Sequence, residues 1–177
     1  MQQTRVVTRV HERCEACGFD GGAYSDTALL DSLRLLGGQW REQLSAAGQH
    51  LRTRPEPGTW SAIEYAAHSR DVTRLHAYGV EQALTGTEPT FPAVSEDAIE
   101  AAAAAYGDAD PDEVVDVLAR AATRLAQLAD DAGDDTWTRG LTVGETRSDV
   151  RRLLEHALHD AHHHLLDVNR GLATIGQ

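Results

Sequence analysis

Five of the chain's nine histidines crowd into one short stretch, His156, His159, His162, His163 and His164, with Asp160 and Asp167 among them. Imidazole nitrogen and carboxylate oxygen are ligands that divalent metals accept, and two donors four residues apart on a helix converge on one point. Among such pairs, His159/His163 and Asp160/His164 are offset by one residue. A third donor, His68, lies far upstream. One histidine from a facing helix added to an i,i+4 pair makes a three-ligand set with positions left open for water or substrate. The only two cysteines, Cys14 and Cys17, stand in C-x-x-C followed by Gly18. That spacing grips one tetrahedral zinc but supplies only half of its ligands, and His11 lies three residues before Cys14.

The elements that must position these groups are legible. Val150, Leu154, Ala157, Ala161, Leu165 and Val168 recur at helical spacing, so a helix is expected over 148–170, capped by Ser148 and ended by Gly171. Leu29, Leu30, Leu33, Leu36, Trp40 and Leu44 predict a helix over 27–47, in which Gly37-Gly38 marks a kink or a close approach. Ser61 and Glu64 form the sequence of a capping box that opens a helix over 61–84, with Tyr65, His68, Val72, Leu75 and Gly79 on its inner side. Asp110-Pro111-Asp112-Glu113 opens another over 112–129. Residues 85–94 are a lid-like loop, and Ser95 caps a short Ala-rich helix reaching Tyr106. Four amphipathic helices with few strand signals specify an all-α fold, a four-helix bundle. We read one domain over 1–177, an N-terminal extension over 1–24 and a bundle over 25–172.

Projecting the last helix at about 100° per residue places Asp160 and His164 at the margin of its apolar face. His156, His159 and His163 fall on the opposite side with Arg152 and Arg170, where solvent is expected. The metal set read from the residues is therefore His68, Asp160 and His164. The leftover His159 and His163 make a closed tetrahedral set with Cys14 and Cys17, a second, structural zinc that would pin the N-terminal segment across the bundle. His11 or a second subunit are the alternative sources of ligands.

These residues carry a resemblance. The Trp60-Ser61-x-x-Glu64-x-x-x-His68 opening and the His156-x-x-His159-Asp160-x-x-His163-His164-x-x-Asp167 run resemble the DinB-like superfamily over about 27–172. The resemblance implies a bundle of the DinB type and metal-dependent enzymes that use low-molecular-weight thiols, among them mycothiol-dependent maleylpyruvate isomerase and mycothiol or bacillithiol S-transferases. Its usual pattern is a histidine on the second helix with H-x-x-x-H, or E-x-x-x-H in the isomerase type, on the last. His68 matches the first, and either Asp160/His164 or His159/His163 matches the second; the adjacent pair His163-His164 favours Asp160/His164. An aspartate there departs from the pattern, and the C-x-x-C lies outside it.

The expected function is thus a metal-dependent thiol S-transferase or isomerase acting on an electrophilic small molecule. A bound divalent ion, zinc before nickel or iron, lowers the pKa of a thiol co-substrate. Arg70 and Arg74 are candidates to hold an anionic thiol. The competing readings are a metal-dependent hydrolase and a non-catalytic metal sensor, store or dimerisation module; a homodimer is the assembly considered. A net charge of -12, from 28 acidic against 16 basic residues, opposes nucleic acid and anionic membranes. With no leader-like start and no apolar run of spanning length, a cytoplasmic protein is expected.

Overall fold

The computed structural model describes residues 10–176. Its frame is built from α1 (Asp26–Ala47), α2 (Ala62–Thr85), the short α3 (Glu96–Ala103), α4 (Pro111–Asp131) and α5 (Val150–Ile175). Each long helix begins where a side-chain oxygen meets an otherwise unpaired N–H. Ser25 Oγ accepts from Ala28 N–H at 3.2 Å, Asp110 Oδ1 from Glu113 N–H at 2.8 Å, and Asp149 Oδ1 from Arg152 N–H at 2.8 Å. At the head of α2, Glu64 Oε2 accepts from both the backbone N–H and the hydroxyl of Ser61, at 2.8 and 2.7 Å. Arg54 donates through Nε to both Glu64 oxygens at 3.0 and 3.1 Å, which fixes the loop before α2 to its first turn.

α1 packs on α4 and α5, and α2 packs on the same two, so the consecutive helices α1 and α2 face each other across the bundle diagonal. Leu29, Leu33, Leu36, Trp40, Ile63, Leu118, Leu125, Leu154 and Leu158 are fully buried between them. Burial of each such side chain contributes roughly 1.5–3 kcal/mol. Gly37 lets α1 and α4 touch: a Cβ there would lie 2.4 Å from Ala119 Cβ and 2.9 Å from its Cα.

Several expected boundaries are corrected. The cap of α5 is Asp149, the last residue of strand β5, whose side chain accepts from Arg152 N–H, and not Ser148 one residue earlier; the helix also runs through Gly171 to Ile175. Gly171 is not a terminator: a Cβ there would come 3.1 Å from Pro55 Cγ, so the glycine makes room for the α1–α2 connection. Leu75, expected on the inner face, is half exposed. Among the described residues there are also five short strands. β1 (Arg13–Cys14) and β2 (Phe19–Asp20) pair antiparallel, while β3 (Thr90–Phe91) runs parallel to β4 (Gly140–Val143), which pairs antiparallel with β5 (Thr146–Asp149). Runs of two to four residues are too short to show a period of two. The 85–94 connection is therefore docked through β3, whereas the sequence suggested a free lid. No described helix is long and apolar enough to cross a membrane.

Candidate metal centre

α2 and α5 bring the three expected ligands together. The Nε2 atoms of His68 and His164 lie 3.6 and 3.4 Å from Asp160 Oδ1, and one donor atom from each of the three residues falls within a 4.8 Å cluster. Donors bound at about 2.0–2.1 Å in tetrahedral directions sit about 3.3–3.4 Å apart, so the spacing suits a shared ion. The side chains are only 14–18% exposed, which leaves an approach while removing most water. His68 is set one turn beyond the Glu64 capping box, with the Trp60 ring 5.1 Å away. Tyr65 lies against His164 at 4.9 Å, and buried Tyr106 closes the side beyond His68 at 6.4 Å.

The residues fit a metal on chemical grounds as well. Asp160 Oδ2 is buried and has no hydrogen-bond partner, an orphan that an ion would satisfy. Burial alone would raise the Asp160 pKa, but His164 and His68 outweigh it and hold the carboxyl ionised far below its usual range. His164 is pulled down by burial and, more strongly, up by Asp160 and Asp167. Asp167 Oδ2 lies 3.1 Å from His164 Nδ1, placed to accept a hydrogen bond from it, while Nε2 is the nitrogen turned to the centre. Burial and Asp71 push the Tyr106 phenol up to about 12, so it stays protonated at neutral pH. Arg70, expected to serve an anionic thiol, is instead engaged in two bonds to Asp71 at 2.8 and 3.0 Å.

The other expected set also converges. One donor atom each from Cys14, Cys17, His159 and His163 lies within 4.8 Å of the others, with Cys14 Sγ 3.6 Å from His163 Nδ1. The expectation that His159 and His163 face solvent is corrected: the β1–β2 hairpin covers them, leaving 15% and 27% of their side chains exposed. His11 is not part of this set; its Nδ1 is 2.7 Å from Glu155 Oε1. Backbone N–H from Cys17 leads the causes that lower the Cys14 thiol to about 7, whereas burial and the neighbouring Cys14 raise Cys17.

Sequence reasoning missed what clamps the hairpin. Glu155 has no exposed side-chain surface and accepts from Glu12 N–H at 2.8 Å and from Arg151 Nε at 2.6 Å, besides meeting His11. Arg151 also donates to the carbonyls of Gly21 and Tyr24, at 3.1 and 2.8 Å, and pairs with Asp26. The i,i+4 pairing of Arg151 with Glu155 was the signal available. Beside the hairpin, a groove of about 870 Å³ is lined by Leu75, Tyr78, Phe91, Val94, His76 and His156, and Glu12 and Arg152 sit at its edge. Burial lowers His76 to about 4, and its Nδ1 bonds the Val72 carbonyl at 2.7 Å. His156 stands one helical turn from Asp160, so the groove reaches to within about 6 Å along α5 of the candidate metal centre.

The fold has solved counterparts. YfiT from Bacillus subtilis, described as a probable metal-dependent hydrolase with an unusual four-helix bundle topology, superimposes with a TM-score of 0.75 at 17% identity, over 85% of this chain and 87% of that one. Mycothiol-dependent maleylpyruvate isomerase gives 0.65 at 18% identity, over 84% of this chain and 62% of the isomerase. At these identities the likeness establishes the fold alone. Comparison with curated proteins yields no match. The family assignment rests on the sequence between the middle of α1 and the end of the ligand-bearing run of α5: residues 39–168 match the family model, and the chain belongs to the DinB superfamily.

Proposed function

We propose that the chain is a metal-dependent enzyme in which His68, Asp160 and His164 hold a divalent ion, and that it joins an electrophilic small molecule to, or rearranges it with, a low-molecular-weight thiol of the mycothiol type. The observation that carries this reading is Asp160: two imidazole nitrogens approach one oxygen, and the other is buried without a partner. When bound there, a divalent ion supplies Lewis acidity that brings the pKa of a coordinated thiol or water towards neutrality. Zinc suits this nitrogen and oxygen set, with nickel and iron as alternatives.

The protein's own part is positioning. Asp167 accepts a hydrogen bond from His164 Nδ1 and so aims Nε2 at the centre. Glu64 and Arg54 hold the first turn of α2, and with it His68. Trp60, Tyr65 and Tyr106 exclude water from one side. The apolar wall of the groove offers burial to a carbon skeleton, and Arg152 in its lining, paired with Glu12 at 2.7 Å through Nη2, has its buried Nη1 without a partner to offer to a carboxylate.

A carboxylate at position 160 supports the thiol reading, because a carboxylate ahead of the final histidine is the isomerase-type pattern. The near full-length superposition on YfiT supports a second reading, hydrolysis by activated water. Metal analysis of the purified protein, followed by thiol consumption with a model electrophile, tests both. His68→Ala and His164→Ala should each lose the ion from this centre, with the bundle still folded, and should consume no thiol. An ion retained by both variants overturns the ligand assignment. A loaded wild type that hydrolyses esters or amides and leaves thiol untouched selects the second reading.

A further inference from the structure

The β1–β2 hairpin has the build of a zinc-gripping turn. Gly18, at φ +76°, lets the chain reverse directly after Cys17, and its N–H returns to the Cys14 carbonyl at 2.8 Å. The backbone of Cys17 and Ala16 favours the anionic form of the Cys14 sulfur. The thiolate is the form that binds a metal. Both cysteines are free thiols, and both pack against the hydrophobic core beside α5.

The facing histidines are oriented for the same task. Both ring nitrogens of His159 are buried without a hydrogen-bond partner. Nδ1 does lie 3.0 Å from Glu12 Oε1, although out of line for a hydrogen bond, which leaves Nε2 with nothing to satisfy it. A neutral imidazole buried in this way costs stability unless a ligand takes the free nitrogen. The ring is held in place by Phe19, stacked at 5.3 Å. His163 turns Nδ1 to Cys14 and Nε2 to Asp167 Oδ2, at 3.6 Å each. A carboxylate beyond the outer nitrogen of each metal-binding histidine is a recurrent arrangement at zinc sites.

We propose that Cys14, Cys17, His159 and His163 form a second, structural zinc site, closed and tetrahedral, which ties the N-terminal hairpin to α5. Zinc–sulfur distances of about 2.3 Å and zinc–nitrogen distances of about 2.0 Å imply ligand–ligand edges of about 3.3–3.8 Å, which a 4.8 Å cluster reaches by small side-chain rotations. Two thiolates and two neutral imidazoles cancel the charge of the ion, so the set can be covered without leaving a net buried charge. Binding releases the two thiol protons to solvent. All four protein ligands are supplied, so no position is left for substrate, and the role is structural. The site does not depend on the chemistry assigned to His68, Asp160 and His164.

Metal content and cobalt spectroscopy on the full chain test the proposal. Wild type purified under reducing conditions should carry two zinc ions per chain. Cys14→Ser with Cys17→Ser should carry one, and His68→Ala should also carry one, lost from the other centre. Protein reconstituted with Co²⁺ should show a thiolate-to-cobalt charge-transfer band in the near ultraviolet, kept in His68→Ala and lost in the double serine variant. If that variant does not fold, the wild-type cobalt spectrum decides. Absence of the charge-transfer band, a Cys14–Cys17 disulfide in reduced preparations, or thiols that react equally fast with and without a chelator would each overturn the site.

Discussion

Replacing Glu155 by Gln tests how the hairpin is held on α5. The substitution keeps the shape of the side chain and removes its charge, while Arg151 stays 3% exposed beneath the hairpin. The carboxylate makes three close contacts, to Arg151 Nε at 2.6 Å, His11 Nδ1 at 2.7 Å and Glu12 N–H at 2.8 Å. An amide offers one oxygen acceptor in place of two, so at least one of these donors faces an NH₂ group. Loss of one charge-assisted bond costs about 1.5–3 kcal/mol, and removal of one partner from a buried ion pair about 3–5 kcal/mol. Asp26 still pairs with Arg151 and moderates the loss, so about 3 kcal/mol is expected. In a chain of this length that lowers Tm by about 6–12 °C. The control is Arg13→Ala, whose pair with Asp20 is largely exposed, with an expected change within about 0.5 kcal/mol.

The pH dependence of the same variant carries a sign. Burial raises the Glu155 pKa, but Glu12 N–H, Arg151 and His11 outweigh it, so the folded value lies below the ordinary glutamate value. A depressed folded pKa contributes stability above the unfolded value and loses it as pH falls through the folded one. Thermal unfolding of wild type and Glu155→Gln should therefore differ fully at pH 7 and converge below pH 4.5. Equal Tm values at pH 7, or a gap that widens in acid, would refute the reasoning.

Two further outcomes are expected. Gly37→Ala should destabilise by roughly 1–2 kcal/mol, an overpacking cost of about 1–3 kcal/mol partly offset by helix propensity, because its Cβ would strike Ala119. Gly38→Ala, with nothing within 4 Å of its Cβ, should stabilise by up to about 1 kcal/mol. Denaturant unfolding decides, and shifts of the same sign at both positions count against the packing. Asp167→Asn should weaken zinc at both sites by about tenfold or more, measured by competition with a chelating dye. Asp167 Oδ2 lies 3.1 Å from His164 Nδ1 and 3.6 Å from His163 Nε2, so unchanged affinity at both sites would remove the carboxylate from either role.

The long helices were legible because each carries several independent signals: an acceptor side chain at the start, an apolar stripe and a loop with proline or glycine between elements. What escaped was set by contacts distant in sequence. Gly171 reads as a helix terminator, yet its lack of a Cβ serves Pro55. β3 is two residues whose partner, β4, lies about fifty positions later, and no local period announces such pairing. Glu155 drew no notice in the sequence because its contacts with His11 and Glu12 come from a segment more than 140 residues earlier in the chain.

The same dependence explains why the candidate donor residues were legible in the sequence while the exposure of two of the four on α5, His159 and His163, was misjudged. Projection of α5 assigns Asp160 and His164 to one azimuth and His159 and His163 to another about 100° away, and that separation is a property of the helix alone. Whether an azimuth meets solvent is decided by what packs there. The bundle covers the first through α2 and His68; the N-terminal hairpin covers the second through Cys14 and Cys17. The structure surrounds each of the two i,i+4 pairs with further donors, so the one-residue ambiguity between them is decided by the metal content of the His68 and cysteine variants. Neighbouring pairs on one helix point into two donor clusters, of which only the first draws its third donor, His68, from within the family match. The second is completed by a segment that lies ahead of the family match at residues 39–168, which is why resemblance to the family points to His68, Asp160 and His164 and carries no information about the other four.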